Sequence, residues 1–265
     1  MNDRFRSPQE RNKHSMEDRN RLLYEDGRVN MEEYRKLPVR DKRNLQGKAE
    51  VVIGEDTRAE VTDASIPPYC AVVRLILTFQ GMVYRGTGFL IEQNVMITAG
   101  HNVYDSKLGG MAEKIEVVED GAYYQALKWT VSETYKRTSG DDCDWAVVKV
   151  AVTPGKHRNT LKWKNIEKEP LDTAGKNVKI SGYPREVRAV STYSQFEADG
   201  PIEQHNRQNQ TIIHKISTSG GNSGSPVLFM DGGEYYAVGI HVSGDATSNT
   251  AKAIDQNVAD EIAKL

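Results

Sequence analysis

Residues 220 to 226 read Gly-Gly-Asn-Ser-Gly-Ser-Pro. A serine between glycines belongs on a tight turn, where its hydroxyl stands clear of packing and backbone N–H groups can converge on one point. Ser223 is therefore a candidate nucleophile, and the N–H groups of Gly221 and Ser223 are candidates for an oxyanion hole. Taken alone, the same stretch could be an ordinary loop.

A serine hydroxyl is a poor nucleophile near neutral pH and needs an adjacent base. Six histidines are available, at positions 14, 101, 157, 205, 214 and 241. His101 stands out because Thr98-Ala99-Gly100-His101 closes a strand-like run, so its ring can project from a strand end into a cleft. His14 and His157 sit in charged segments instead. The base in turn needs a carboxylate to orient it and stabilise its cation. Asp144 opens the apolar run Trp145-Ala146-Val147-Val148, which can desolvate it, whereas Asp141 and Asp142 read as solvated turn residues. The order His, Asp, Ser, with intervals of 43 and 79 residues, puts the first two groups in one half of the chain and the serine in the other.

The elements that must position these groups are short and β-rich. Runs at 71–79, 82–91, 94–98, 115–118, 123–131, 145–151, 177–181, 190–197, 210–217, 226–230 and 235–242 are separated by turn signals, with almost no helical periodicity among them. They predict antiparallel barrels or sandwiches. A polar stretch near 153–175, containing Pro154, Gly155 and Pro170, divides them into two sets. Ile254, Val258, Ile262 and Leu265 recur every three to four residues and predict an amphipathic helix over about 251–265, capped by Asn249 or Thr250. No internal sequence repeat is visible. Residues 1–50 hold 13 Lys and Arg and 10 Asp and Glu, too charged to build their own core. They predict a detachable or loosely packed extension with one helix around Met31 to Leu37.

Composition excludes several classes. A chain of 265 residues with 35 basic and 37 acidic side chains, net −2, argues against a dedicated nucleic-acid binder. The best apolar run, Ala71 to Phe79, is nine residues long and contains Arg74, too short to span a membrane. The opening carries no apolar core of a signal peptide, so none is expected within this chain. Cys70 and Cys143 are too few for a disulfide scaffold or a structural zinc site; they read as two semi-buried thiols, or as one disulfide. No HExxH, CxxC or P-loop occurs, so neither a metal nor a cofactor is expected.

Taken together, GTGFLI, MITAGHNVYD, DWAVVKV, ISGYP, STSGGNSGSPV and AVGIHVSG, with VVIGEDTR and PPYCAVVRL, resemble the chymotrypsin-fold serine proteases over roughly Val51 to the C-terminus. The match is to the bacterial glutamyl endopeptidases, a group that includes the exfoliative-toxin relatives. The resemblance implies an all-β fold of two six-stranded antiparallel barrels, the first about 61–152 and the second about 176–245, followed by the C-terminal helix. It implies His101 as general base, Asp144 as its orienting carboxylate and Ser223 as acylated nucleophile. It also implies that Thr218 and His241 bind an acidic substrate side chain, with Val242 and Ser243 continuing the pocket wall. The ammonium group of Val51, released by cleavage after Glu50, would complete the carboxylate site and make residues 1–50 a pro-segment. The implied protein is a secreted, monomeric endopeptidase acting on peptides after Glu, less readily after Asp. The alternatives are a toxin-like protease with one narrow target and a protease-fold binding protein without activity. One departure is plain: Asn102 follows His101 where many chymotrypsin-fold proteases have a cysteine, so the disulfide that staples this loop is missing.

Overall fold

A computed structural model describes residues 52–168, 175–185 and 194–264, together with the main chain of three two-residue strands at 24–25, 28–29 and 39–40. The first barrel comprises β1 (Val72–Phe79), β2 (Met82–Glu92), β3 (Val95–Thr98), β4 (Lys114–Glu119), β5 (Ala122–Val131) and β6 (Ala146–Val150). Every pairing among them is antiparallel, and the sheet closes in the order β1-β2-β3-β6-β5-β4. The second comprises β7 (Asn177–Gly182), β8 (Phe196–Asn206), β9 (Thr211–His214), β10 (Pro226–Asp231), β11 (Glu234–Gly244) and β12 (Asn249–Ala253). It closes in the order β7-β8-β9-β12-β11-β10, the same connectivity. The chain thus repeats a topology that its sequence does not repeat, because closure needs only alternating burial and turns of the right length.

Alternation along the strands divides the buried side chains among three clusters. In β6, Ala146, Val148 and Val150 fill the first barrel, while Val147 points to the seam. The second barrel is filled by Val178, Ile180, Ile202, Ile212, Val227 and Val238 among others. The seam joins Val72, Phe89, Ile97, Trp145 and Val147 of the first barrel to Leu228, Ile240 and Val242 of the second. The polar connection between the barrels carries one short strand, Lys162–Trp163, parallel to β11. Val39–Arg40 of the charged extension pairs in parallel with Val83–Tyr84 of β2. The helix expected around Met31 to Leu37 and the proposed new terminus at Val51 lie outside the described residues.

Two expectations are corrected. Asn249–Ala253 is the closing strand of the second barrel rather than the start of the C-terminal helix, whose bounds are Gln256–Ile262. The cap is Asp255, whose carboxylate accepts the N–H of Val258 at 3.1 Å; Val258 and Ile262, four apart, then face the seam with Ile254. Of the strand expected at 190–197, positions 190–193 lie outside the described residues, and the strand that holds Phe196 and Glu197 runs on to Asn206, through Gly200 and Pro201. Pro201 is tolerated because it is the last residue paired with β7, and a bulge between Ile202 and Gln204 resets the ladder with β9. Cys70 and Cys143 are both free, buried thiols. Among the described residues no helix is long and apolar enough to cross a membrane.

Candidate active site

The single helical turn α1 (Gly100–Val103) follows β3 directly and is wholly buried. It carries His101, 1% exposed, against Asp144, which is fully buried at the mouth of β6. Asp144 grips this residue twice. One carboxylate oxygen accepts the backbone N–H of His101 at 2.8 Å, and the other lies 2.9 Å from ring Nδ1. A carboxylate at Nδ1 selects the tautomer with its proton there, which turns the basic lone pair of Nε2 away from the aspartate. The two contacts are independent constraints: the first holds the main chain, the second the ring.

Ser223 lies between β9 and β10, the same interval of the second barrel that α1 occupies in the first. It is 4% exposed. Its loop is shaped by two glycines at positive φ, Gly221 at 105° and Gly224 at 89°. A side chain at 224 would come within 2.1 Å of the Thr87 carbonyl oxygen and 2.3 Å of Thr98 Oγ1. The loop is therefore pressed against the strands that deliver His101, and only glycine permits that approach. Thr87 stitches the two together: its N–H donates to the Ser223 carbonyl at 2.9 Å and its hydroxyl to the Gly221 carbonyl at 2.8 Å. Asn102 adds a further donor to the Ser223 carbonyl at 2.9 Å. The N–H groups of Asn222, Gly224 and Ser225 are directed to the carbonyls of Ser219, His241 and Asn222.

The residues assigned to an acidic side chain lie alongside. Thr218 and His241 are both fully buried, and Thr218 Oγ1 makes no hydrogen bond among the described residues. The main chain of His241 is pinned through Ser225 and Gly224, at 2.8 and 2.7 Å. Val242 and Ser243 are placed differently from a simple pocket wall. The Val242 side chain belongs to the seam cluster. The Ser243 hydroxyl donates to Asp141, which is thereby a bonded group spanning the seam rather than a purely solvated turn residue.

Sequence reasoning missed three neighbours. Thr87 lay inside a quoted motif, but nothing local signals that its hydroxyl reaches the serine loop. His214, at the end of β9, sets its ring centroid 5.5 Å from that of His241, the two planes tilted by 52°. Its Nδ1 accepts the N–H of Ile216 at 3.2 Å, and complete burial pulls its pKa down to about 3, so it is neutral with its proton on Nε2. Arg58, held by a two-point pair with Asp56, donates to Ser219 Oγ at 2.6 Å, and Ser217 Oγ reaches the Glu55 carbonyl at 3.5 Å. The segment 55–58 thus runs beside Ser217–Ser219.

The trypsin family model matches residues 72–264. The chain belongs to the trypsin family. It is a hydrolase of the serine protease kind. It is 27% identical over 184 residues to a glutamyl endopeptidase of Bacillus licheniformis, covering 67% of this chain and 54% of that protein. It is 25% identical over 228 residues to a Bacillus subtilis protein named extracellular metalloprotease, covering 80% of this chain and 68% of that one. Among the described residues no group of three or more His, Cys, Asp or Glu side chains is placed to hold a metal ion. The solved structure of a Glu endopeptidase superposes with a TM-score of 0.69 at 27% identity, covering 81% of this chain and 98% of that one. The protease Anisep from Arthrobacter nicotinovorans shares the fold at 16% identity, with a TM-score of 0.60, covering 77% of this chain and 96% of that one.

Proposed function

We propose that the protein is a serine endopeptidase that cleaves after Glu, less readily after Asp, through an acyl-enzyme on Ser223. The observation that carries the reading is the double grip of Asp144 on His101, next to the glycine-framed serine loop. His101 Nε2 takes the Ser223 proton as Oγ attacks the scissile carbonyl, and the resulting oxyanion accepts hydrogen bonds from the N–H groups of Gly221 and Ser223. Collapse expels the amine, which leaves with the proton from His101. A water molecule, deprotonated by the same imidazole, then releases the acyl group and restores the serine.

Specificity for an acidic side chain is supported by the buried Thr218 hydroxyl and the His241 imidazole, both able to donate to a carboxylate. Two of the relatives, a glutamyl endopeptidase and a Glu endopeptidase of solved structure, carry names that point the same way. Cleavage after Glu50 would release the Val51 ammonium as a further cation, making residues 1–50 a pro-segment; the described chain from Glu55 to Arg58 passes Ser217–Ser219, next to Thr218. N-terminal sequencing of active material checks this, and full activity in a chain still beginning at Met1 refutes it. Secretion, a monomeric state and the absence of a membrane association are part of the same proposal.

The deciding experiment is mass spectrometry of a digested model protein. Fragments ending predominantly in Glu are expected. No digestion, together with no labelling of Ser223 by a fluorophosphonate, would leave the reading without support; digestion with another terminal residue would overturn the specificity alone.

A further inference from the structure

We propose that Asn102 is a positioning residue that holds nucleophile and base in register across the seam between the barrels. This rests on the reading of Ser223 and His101 given above. Asn102 follows His101 on the same buried turn and is itself 1% exposed. Its side-chain amide donates twice, to Thr98 Oγ1 at 2.9 Å and to the carbonyl oxygen of Ser223 at 2.9 Å. The first bond anchors the amide to the end of β3, within its own barrel. The second crosses to the other barrel and ends on the very residue whose hydroxyl must meet the neighbouring imidazole.

The surroundings fit a gauge rather than a filler. A side chain at Gly86 would lie 2.6 to 2.8 Å from the Asn102 amide group, so the amide occupies space that β2 leaves open by having a glycine there. Thr98 Oγ1, one of its two acceptors, is itself fixed by donation to the Thr87 carbonyl at 2.7 Å. The Thr87 N–H supplies the other bond to the Ser223 carbonyl. That carbonyl therefore receives two donors from the first barrel, one from β2 and one from α1. Two donors converging on a carbonyl from different elements fix its direction as well as its distance, and the direction of the Ser223 carbonyl sets where its Cα, and hence its Oγ, stands. The amide ties this turn across the seam to the candidate nucleophile of the other barrel.

The test is a comparison of steady-state kinetics, Ser223 labelling and thermal stability in the full chain. Asn102→Ala should lower kcat by about ten- to a hundredfold with KM within twofold of the parent, the scale expected when a reacting group is displaced by a fraction of an ångström to 1 Å. The rate of fluorophosphonate labelling at Ser223 should fall in parallel. Val178→Ala, in the core of the second barrel at the start of β7, serves as the control for stability loss alone and should leave kcat unchanged. If Asn102→Ala does not fold, Asn102→Leu keeps the branched shape without any donor, with the same kinetic outcome expected. Parent-like kcat and labelling in a variant that merely melts lower would overturn the proposal. A parent that neither digests protein nor labels at Ser223 would instead defeat the functional reading beneath it.

Discussion

His214 ties the acid stability of the fold to the wall behind the candidate specificity pocket. Its imidazole is completely buried, and its pKa falls from the ordinary 6.5 to about 3 because burial disfavours the cation. The unfolded chain, with its imidazole in water, therefore binds a proton at higher pH than the folded chain does. Stability from this group is intact above pH 6.5 and drains away as pH falls from there towards 3. With those two values the loss between pH 7 and pH 4 is about 3 kcal/mol, a large part of the roughly 5–15 kcal/mol that holds a domain folded. His214→Asn removes the titration but leaves an amide oxygen where Nδ1 now accepts the Ile216 N–H, so its own cost is independent of pH. Urea unfolding of both proteins at pH 7, 6, 5 and 4, in a Ser223→Ala background to prevent self-digestion, gives the comparison. The parent should lose about 3 kcal/mol more than the variant over that range. Parallel pH curves, differing by less than about 1 kcal/mol across it, would show that the buried ring is not the titrating group and refute the argument.

Three other outcomes are expected. Asp144→Asn should fold, because an amide oxygen can still accept the His101 N–H, yet lose about four orders of magnitude in kcat as the ring tautomer is reversed; circular dichroism with active-site labelling separates the two effects. Gly224→Ala places a methyl group 2.1 Å from the Thr87 carbonyl at a φ of 89°, and should cost at least about 3 kcal/mol in unfolding free energy, together with loss of labelling at Ser223. Lys252→Met removes the ammonium partner of Asp255, both buried, and leaves an uncompensated carboxylate at the cap of the C-terminal helix. A loss of about 3–5 kcal/mol in chemical denaturation is expected.

The candidate triad was legible in the chain because each member sits on a locally encoded device. Glycines 221 and 224 encode the serine turn, the end of an apolar strand presents His101, and the polar-to-apolar switch at Trp145 marks the bracing aspartate. Local signals misled where tertiary closure overrode them. Asn249–Ala253 follows no strand alternation that a reader could trust, since side chains on both of its faces are buried while β9 and β11 pair along its edges. The strand β8 runs on to Asn206, beyond the run expected to end at 197, because Gly200 and Pro201 keep their pairing with Val178 and Asn177 of β7. Asp141 looked solvated because its partner, Ser243, lies 102 residues away on the far side of the seam.

By itself, the sequence determined which residues can do chemistry, where eleven of the twelve barrel strands lie and where the chain divides into halves. These follow from backbone preferences and side-chain periods that act over a few residues. The tertiary structure alone decided which groups meet: Thr87 and Asn102 on the Ser223 carbonyl, His214 behind His241, Arg58 on Ser219. Those contacts depend on how two closed barrels set their registers, where a slip of one residue turns every side chain to the opposite face, and no local signal carries that information.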